Sequence, residues 1–351
     1  MALLFIDGFD HYGAAASLTF DTLSLGAYTL NGSDHSSIQA MPVLGGLCLA
    51  KTSGNSGGDG SWGVQKVIAS YASGTLGVGM HWYNNSADTR RPSVCGFLSN
   101  TGAILYELTT SGQGGVLQLR NAAGTVLASG TTPMNVNTLY HIEAKLVIAD
   151  SGSFDVKLNG VAELTYSGDT NATAVNRIGI AGRTGNAFSR STYIDNLFIW
   201  DGTGSVNNDW LGEQVVYTLL PTSDTADADW TKSTGSDGYA LIDNIPPVNT
   251  IYIEAAAAAD ESHFGMANLA STALSIKGVQ TTVCARKTTA GAITIQHGVL
   301  SGGDTSLSAA TVLNNGSDLF VSAMHQTDPD TTNLWAPAAV NAVELVAIRS
   351  A

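Results

Sequence analysis

Between Tyr140 and Tyr166 the chain alternates apolar and polar side chains along three successive runs, a pattern that suits strands and excludes helix. Tyr140, Ile142, Ala144, Leu146 and Ile148 alternate with His141, Glu143 and Lys145. Successive side chains of a strand point to opposite faces, so this run reads as a half-buried strand. Asp150-Ser151-Gly152 interrupts it, and Phe154, Val156 and Leu158 then alternate with Asp155 and Lys157. Asn159-Gly160 follows, and Ala162, Leu164 and Tyr166 resume the alternation. A type I′ turn needs positive φ at both central residues, which Asn-Gly supplies, so a hairpin is expected there.

The same grammar recurs elsewhere. Short apolar-rich runs at Val64–Ser70, Leu76–Tyr83, Ile104–Thr109, Val116–Asn121, Thr125–Ala128 and Arg177–Ala181 are bounded by Gly, Ser or Asn. Tyr193–Trp200 is apolar on both faces at its C-terminal end and reads as a central strand. Further strands are expected at Leu274–Ala285, Ala292–Leu300, Leu319–His325 and Val343–Arg349. Ala255–Ala259 is the one expected helical turn. Strands at this spacing, without long helical periodicity, predict a sandwich or jelly roll.

Composition narrows the function classes. Charged residues make up 13 % of the 351, glycine accounts for 39, and apolar residues reach 44 %. Disordered chains show the reverse balance, and a coiled coil needs charged helix faces. No apolar run approaches the ~18 residues of a membrane span, so no membrane insertion is expected. The formal net charge of -14 argues against nucleic acid, whose phosphates demand Lys and Arg. Residues 1–204 carry 14 acidic and 10 basic side chains, and residues 205–351 carry 15 and 5. That shift, at Asp201-Gly-Thr-Gly-Ser205, marks the expected division into a first unit, 1–204, and a smaller acidic β-sandwich, 205–351.

The termini and cysteines say little. Met1–Asp7 lacks a basic segment and a cleavage site, so it reads as a strand and not a signal peptide. Synthesis in a cytoplasm is expected. Cys48, Cys95 and Cys284 have no CxxC partner and read as buried thiols, with a Cys48–Cys95 bridge left open. The four Asn-x-Ser/Thr triplets, at Asn31, Asn84, Asn171 and Asn315, are ordinary in so Asn- and Ser-rich a chain.

No catalytic motif stands. Gly54-Asn-Ser-Gly-Gly58 matches the nucleophile elbow in letters, but Gly57-Gly-Asp-Gly60 cannot begin the helix that the elbow needs, and upstream only His11 and His35 are available. Glycosidase chemistry needs two nearby carboxyls. Glu107, Glu143 and Glu163 have no acid two or four residues away. The seven histidines show no metal-ligand spacing, and neither cofactor nor metal is expected. Asp7, Asp10, Asp195 and Asp201 would approach one another if the first and last strands pair, a softer calcium possibility set against turn-capping. Asp224, Asp227 and Asp229 are a second such calcium possibility, set against capping a turn before Trp230. Trp62, Trp82 and Tyr83, beside Asn84 and Asn85, are sugar-site residues by type and core residues by base expectation. Arg90-Arg91 reads as a loop ion pair.

The first unit resembles a concanavalin A-like jelly roll in its laminin-G-like form. The resemblance lies in Tyr140-His-Ile-Glu-Ala-Lys-Leu, in Phe154-Asp-Val-Lys-Leu-Asn-Gly with its return strand, and in Tyr193-Ile-Asp-Asn-Leu-Phe-Ile-Trp-Asp201. It implies that the strand opening at Phe5 lies beside Ile194–Asp201. The whole chain is similar to structural proteins of tailed-bacteriophage virions. That likeness rests on Leu3-Leu-Phe-Ile-Asp-Gly-Phe-Asp-His-Tyr-Gly13, Asp209-Trp-Leu-Gly-Glu213, Val279–Lys287 and Asp328-Pro-Asp-Thr-Thr-Asn-Leu-Trp335. It implies a virion component without an enzyme motif; a tail-side appendage or head decoration is expected, and, since closed symmetric oligomers are the default, a homotrimer docked on other virion proteins. A glycan-binding module that recognises a host surface, and a polysaccharide hydrolase or lyase, are the alternatives.

Overall fold

The hairpin at Asn159-Gly160 forms as its sequence demands. In the computed structural model both residues have positive φ, 51° and 80°, and Leu158 pairs with Val161 across the turn. The Asn159 side chain is used as well: its Oδ1 accepts the His141 N–H at 2.9 Å. The structure describes residues 2–13, 28–30, 36–51, 62–85, 92–112, 114–171, 173–183, 192–225, 229–271, 274–314 and 316–351. Asn31, His35, Gly54–Gly58, Arg90, Arg91, Asp227 and Asn315 lie outside the described residues, as do the side chain of Trp62 and its surroundings.

The chain divides into two compact units, the first running to Val216 and the second from Tyr217 to Ala351. The composition shift lies earlier, after residue 204, so that residues 205–216 belong with the first unit.

In chain order the first unit carries β1 (Leu3–Asp7), β2 (Thr29–Leu30), β3 (Ser36–Ala40), β4 (Leu47–Lys51), β5 (Trp62–Tyr71), β6 (Gly74–Asn84), β7 (Ser93–Leu98), β8 (Ile104–Thr110), β9 (Leu117–Asn121), β10 (Val126–Ser129), β11 (Leu139–Ile148), β12 (Gly152–Leu158), β13 (Val161–Gly168), β14 (Val175–Arg183) and β15 (Thr192–Asp201). One sheet has eight strands in the order β13-β12-β11-β6-β15-β4-β3, with β1 also on β15. The other has seven, in the order β10-β9-β8-β7-β14-β5-β2. Strands that are distant in sequence are neighbours in both sheets, as the crossing connections of a jelly roll require.

β15 is central, as its apolar composition predicts. It pairs along one side with β6, and along the other with β4 and β1. The expected pairing of first and last strands is thus present: Phe5 stands opposite Ile199 and Asp7 opposite Leu197. All ten residues of β15 are buried. Between the sheets, Phe154 meets Phe97 edge to face, with ring centroids 5.2 Å apart. Phe154 pairs with Leu146 in register, so Ile142, Ala144 and Leu146 face inward and are buried.

The second unit is a smaller β-sandwich. A six-stranded sheet contains Pro221–Asp224, Glu261–Met266, Glu344–Arg349, Thr294–Ser301, Asp304–Leu307 and Thr311–Val312. A ribbon of Val279–Ala285 and Leu319–His325 pairs separately, and Thr231–Lys232 pairs with Ile253–Glu254. Val299, Trp335, Val340 and Val343 form its buried cluster. The expected helical turn at Ala255–Ala259 is corrected. Ala259 has φ 68°, outside the helical range, and the Asp260 carboxylate accepts the N–H groups of Ala256 and Ala257. The short helices stand instead at Tyr239–Ile242 and Pro337–Ala342.

Candidate functional site

Since Ile142, Ala144 and Leu146 face the opposite sheet, the pleat turns His141, Glu143 and Lys145 to the other face of the eight-stranded sheet. Register extends this set sideways. His141 stands opposite His81 of β6, and Glu143 opposite Gly79. Lys157 of β12 stands opposite Glu143. On β15, Asp195 stands opposite His81, and Tyr193 opposite Tyr83. One face of the sheet is therefore apolar core, and the other collects two imidazoles, two carboxylates, two ammonium groups and two phenols.

Two local devices fit this face together. Gly77 and Gly79 leave bare backbone beneath Trp200 and Phe198. A Cβ at Gly79 would lie 2.0 Å from the Phe198 ring, and one at Gly77 would lie 2.1 Å from the Trp200 ring. His141 stacks on Phe198, with planes 20° apart and centroids at 6.2 Å. The second device is a bulge in β15 between Asp195 and Phe198. Asn196 occupies it with φ 52°, a left-handed conformation in which asparagine is enriched. The bulge aims its side chain along the polar face. Its Nδ2 donates to His81 Nδ1 at 3.0 Å, and its Oδ1 accepts the Val216 N–H at 2.7 Å.

Val216 ends a segment, Asp209–Val216, that lies across this face without regular secondary structure. Asp209 pairs with Lys145 at 3.0 Å. The Trp210 ring receives both lysines, Lys145 Nζ at 4.7 Å and Lys157 Nζ at 4.4 Å from its centroid. The backbone N–H groups of Leu211 and Gly212 donate to the two oxygens of Glu143, at 2.8 and 3.1 Å. Glu213 Oε1 meets His81 Nε2 at 2.8 Å. The segment thus passes from β11 over β6 to β15.

Charge on the face follows from burial. Desolvation raises the Glu143 carboxyl above the ordinary range, and the two backbone N–H donors hold part of that rise back. Burial pushes the His141 imidazole down to about 4, with His81 adding to the effect, so His141 is neutral at pH 7. Both His141 ring nitrogens are buried without a hydrogen-bond partner among the described residues. Burial also raises Asp195 to about 7, against the opposing Asn196 N–H and with help from Asp10 and Asp7. Partial burial works against ionisation of Asp209, but Lys145, the Trp210 N–H and Lys157 together hold it below the usual carboxylate range.

The residues singled out in the sequence fall variously. Trp82 points inward, 1 % exposed, and its ring lies 6.4 Å from that of Tyr140. Tyr83 lies on the polar face and donates to Asn137. Asp7 accepts from Phe9 N–H, Tyr12 OH and Tyr28 OH, Asp10 from Leu47 N–H, and Asp201 from Tyr71, 2.9 Å away, and Thr203. Among the described residues no group of three His, Cys, Asp or Glu is placed to hold a metal ion. Asp224 accepts the N–H groups of Gly238 and Tyr239, and Asp229 accepts that of Glu261. Cys48, Cys95 and Cys284 are free thiols. Glu143, His81 and His141, dismissed in sequence for want of neighbours, are the residues the sheet brings together. Trp210 and Glu213, which carried only a resemblance, supply the segment laid over them.

No protein-family model and no curated protein matches this sequence. Solved structures do. Among them, the alginate lyase Aly36B is 13 % identical, covering 54 % of this chain and 93 % of its own, with a TM-score of 0.38. An endo-β-1,4-glucuronan lyase from the fungus Trichoderma reesei is 11 % identical over 49 % and 89 %, TM-score 0.38. The carbohydrate-binding module CBM66 from Bacillus subtilis is 13 % identical over 50 % and 96 %, TM-score 0.34. These findings correct the expectation of a non-enzymatic virion component. The three neighbours named here are two polysaccharide lyases and a carbohydrate-binding module, and none is described as a virion protein.

Proposed function

We propose that the chain binds an acidic polysaccharide on the polar face of the eight-stranded sheet. The observation that carries the reading is the gathering of Lys145 and Lys157 on one face of the sheet, beside His81, Glu143 and Asn196. Ammonium groups recognise carboxylates as point charges, and the polar atoms of His81, Glu143 and Asn196 beside them suit a sugar's hydroxyl groups. The neighbouring lyases act on alginate and glucuronan by their names, and both are chains of this chemistry.

Calorimetry of the full chain against polyuronate and neutral polysaccharides tests this. Uronate binding that falls at least tenfold in Lys145→Ala/Lys157→Ala is the expected result. Equal binding by that variant overturns the reading.

One observation favours cleavage in addition to binding. His141 is a neutral imidazole with both nitrogens unpartnered among the described residues, so a ring lone pair is available to a substrate proton, and burial makes it a weaker base than a free imidazole. If His141 serves as the base of an elimination, polyuronate incubated with the protein gains the ultraviolet absorbance of unsaturated sugar ends, and His141→Ala abolishes it. Absence of that absorbance with the wild-type chain, under conditions where binding is saturated, removes the catalytic reading.

A further inference from the structure

The segment that covers the proposed binding face has the chemistry of a ligand. Asp209 and Glu213 place carboxylates on Lys145 and His81, and Trp210 lays a flat ring on the two lysines. Between them, two backbone N–H groups meet Glu143. An acidic sugar chain would offer the same three elements: carboxylates to the bases, an extended face to the lysine stems, and hydroxyl donors to Glu143.

The manner of attachment suits a removable occupant. The segment joins no strand of the sheet. The side chains of Asp209 and Glu213 remain 67 % and 65 % exposed, where ion pairs contribute little to stability. Residues 209–216 are exposed or half-buried and none is buried, and segments of low burial open at a fraction of the global unfolding free energy. Beneath it lies a second, independent sign of a missing partner. His141 is 3 % exposed, faces this side of the sheet, and has neither ring nitrogen bonded among the described residues. Buried polar groups are ordinarily satisfied, and the segment passes over this one without satisfying it.

We propose that Asp209–Val216 is a built-in occupant of the polar face, which must lift for an acidic polysaccharide to bind there. The inference rests on the binding reading above. It makes the unliganded chain a closed form, whose affinity is reduced by the fraction of time the segment is down.

The test uses the full chain and the variant Asp209→Ala/Trp210→Ala/Glu213→Ala, with polyuronate as the probe. Amide hydrogen exchange at Leu211, Gly212 and Val216 reports the segment directly. The expected result is faster exchange and at least tenfold tighter polyuronate binding in the variant, together with faster exchange in the wild type when the polymer binds. Glu213→Gln, at an exposed position that folding tolerates, should move both readouts in the same direction by severalfold. Wild-type binding as tight as the variant's, with these amides still protected in the complex, overturns the built-in occupant and leaves the binding reading standing. Failure of both proteins to bind, while exchange shows the variant's segment open, overturns the binding reading and this inference with it.

Discussion

The Nδ1 atom of His81 accepts a hydrogen bond from the side-chain amide of Asn196 at 3.0 Å, and this one contact decides where the imidazole proton sits. The Asn196 carboxamide oxygen is engaged by Val216 N–H, so its nitrogen is the end that faces His81. An amide nitrogen only donates. Nδ1 must then offer its lone pair, and Nε2 carries the hydrogen that reaches Glu213. A bulge residue thus sets the tautomer of a histidine on another strand and ties down the end of the covering segment.

Replacing Asn196 should expose this double duty. Asn196→Gly keeps the positive φ but loses both side-chain bonds, at a cost of about 1–3 kcal/mol. Asn196→Asp turns the donor into an acceptor, so that His81 must place a hydrogen on Nδ1. Nitrogen-15 NMR of the His81 ring should show the Nε2–H tautomer in the wild type and lose it in Asn196→Asp. An unchanged ring spectrum would contradict the assignment.

Gly79→Ala should destabilise the first unit by about 1–3 kcal/mol, the usual cost of overpacking. The new methyl would lie 2.0 Å from the Phe198 ring, and that ring is buried beneath the stacked His141. Urea denaturation measures it. A change under about 0.5 kcal/mol, the range of neutral surface substitutions, would show that Phe198 can move aside.

Tyr28→Phe should cost roughly 1.5–3 kcal/mol, the range for hydrogen bonds to charged groups. The Tyr28 hydroxyl donates to Asp7 at 2.6 Å in a buried setting, and Tyr12 does so at 3.1 Å. Tyr12→Phe should therefore cost less. Chemical denaturation of both variants ranks them, and the reverse order would refute the argument from distance.

The second unit should lose stability as pH falls. Burial pushes His297 and His325 down from 6.5 to about 4, His325 adding to the shift of His297. Between those values the unfolded chain binds protons that the folded unit refuses, so stability is complete above about 6.5 and declines towards 4. Thr281 lies between the two rings, 2.9 Å from His297 Nδ1 and 3.2 Å from His325 Nε2. His297→Gln should lower the pH slope of unfolding by about one proton in that window. Trp335 packs in this unit and donates to the His325 carbonyl, so its fluorescence can follow the transition. An unchanged slope would count against a buried neutral His297.

Much of the sandwich was legible because strands and turns are written locally. Asn159-Gly160 fixes a turn by what its own φ angles allow, and the alternation from Tyr140 to Tyr166 already separates His141, Glu143 and Lys145 from the core residues between them. The double-sided apolar character of Tyr193–Trp200 marked it as central, and it is. Val279–Ala285 starts later than its apolar stretch suggests, because Ile276, ahead of the first ladder pair, is apolar for packing on the cluster of Val299, Trp335, Val340 and Val343.

What sequence could not reveal is which strands become neighbours. His81 and His141 look scattered along the chain, and only the antiparallel register of β6 with β11 sets them opposite one another, edge to face, with centroids 5.8 Å apart. Glu143 has no acid nearby in sequence, and its partners, the N–H groups of Leu211 and Gly212, arrive from a segment that has no periodicity to read. The sequence by itself determined that the chain is β, where its hairpins turn, and which side chains share a strand face, because those are properties of backbone dihedrals and a period of two. The tertiary structure alone decided that the polar face gathers two histidines, two lysines and a buried glutamate, and that the chain lies over it. Those juxtapositions depend on long-range pairing, whose register is chosen by the packing of the whole core.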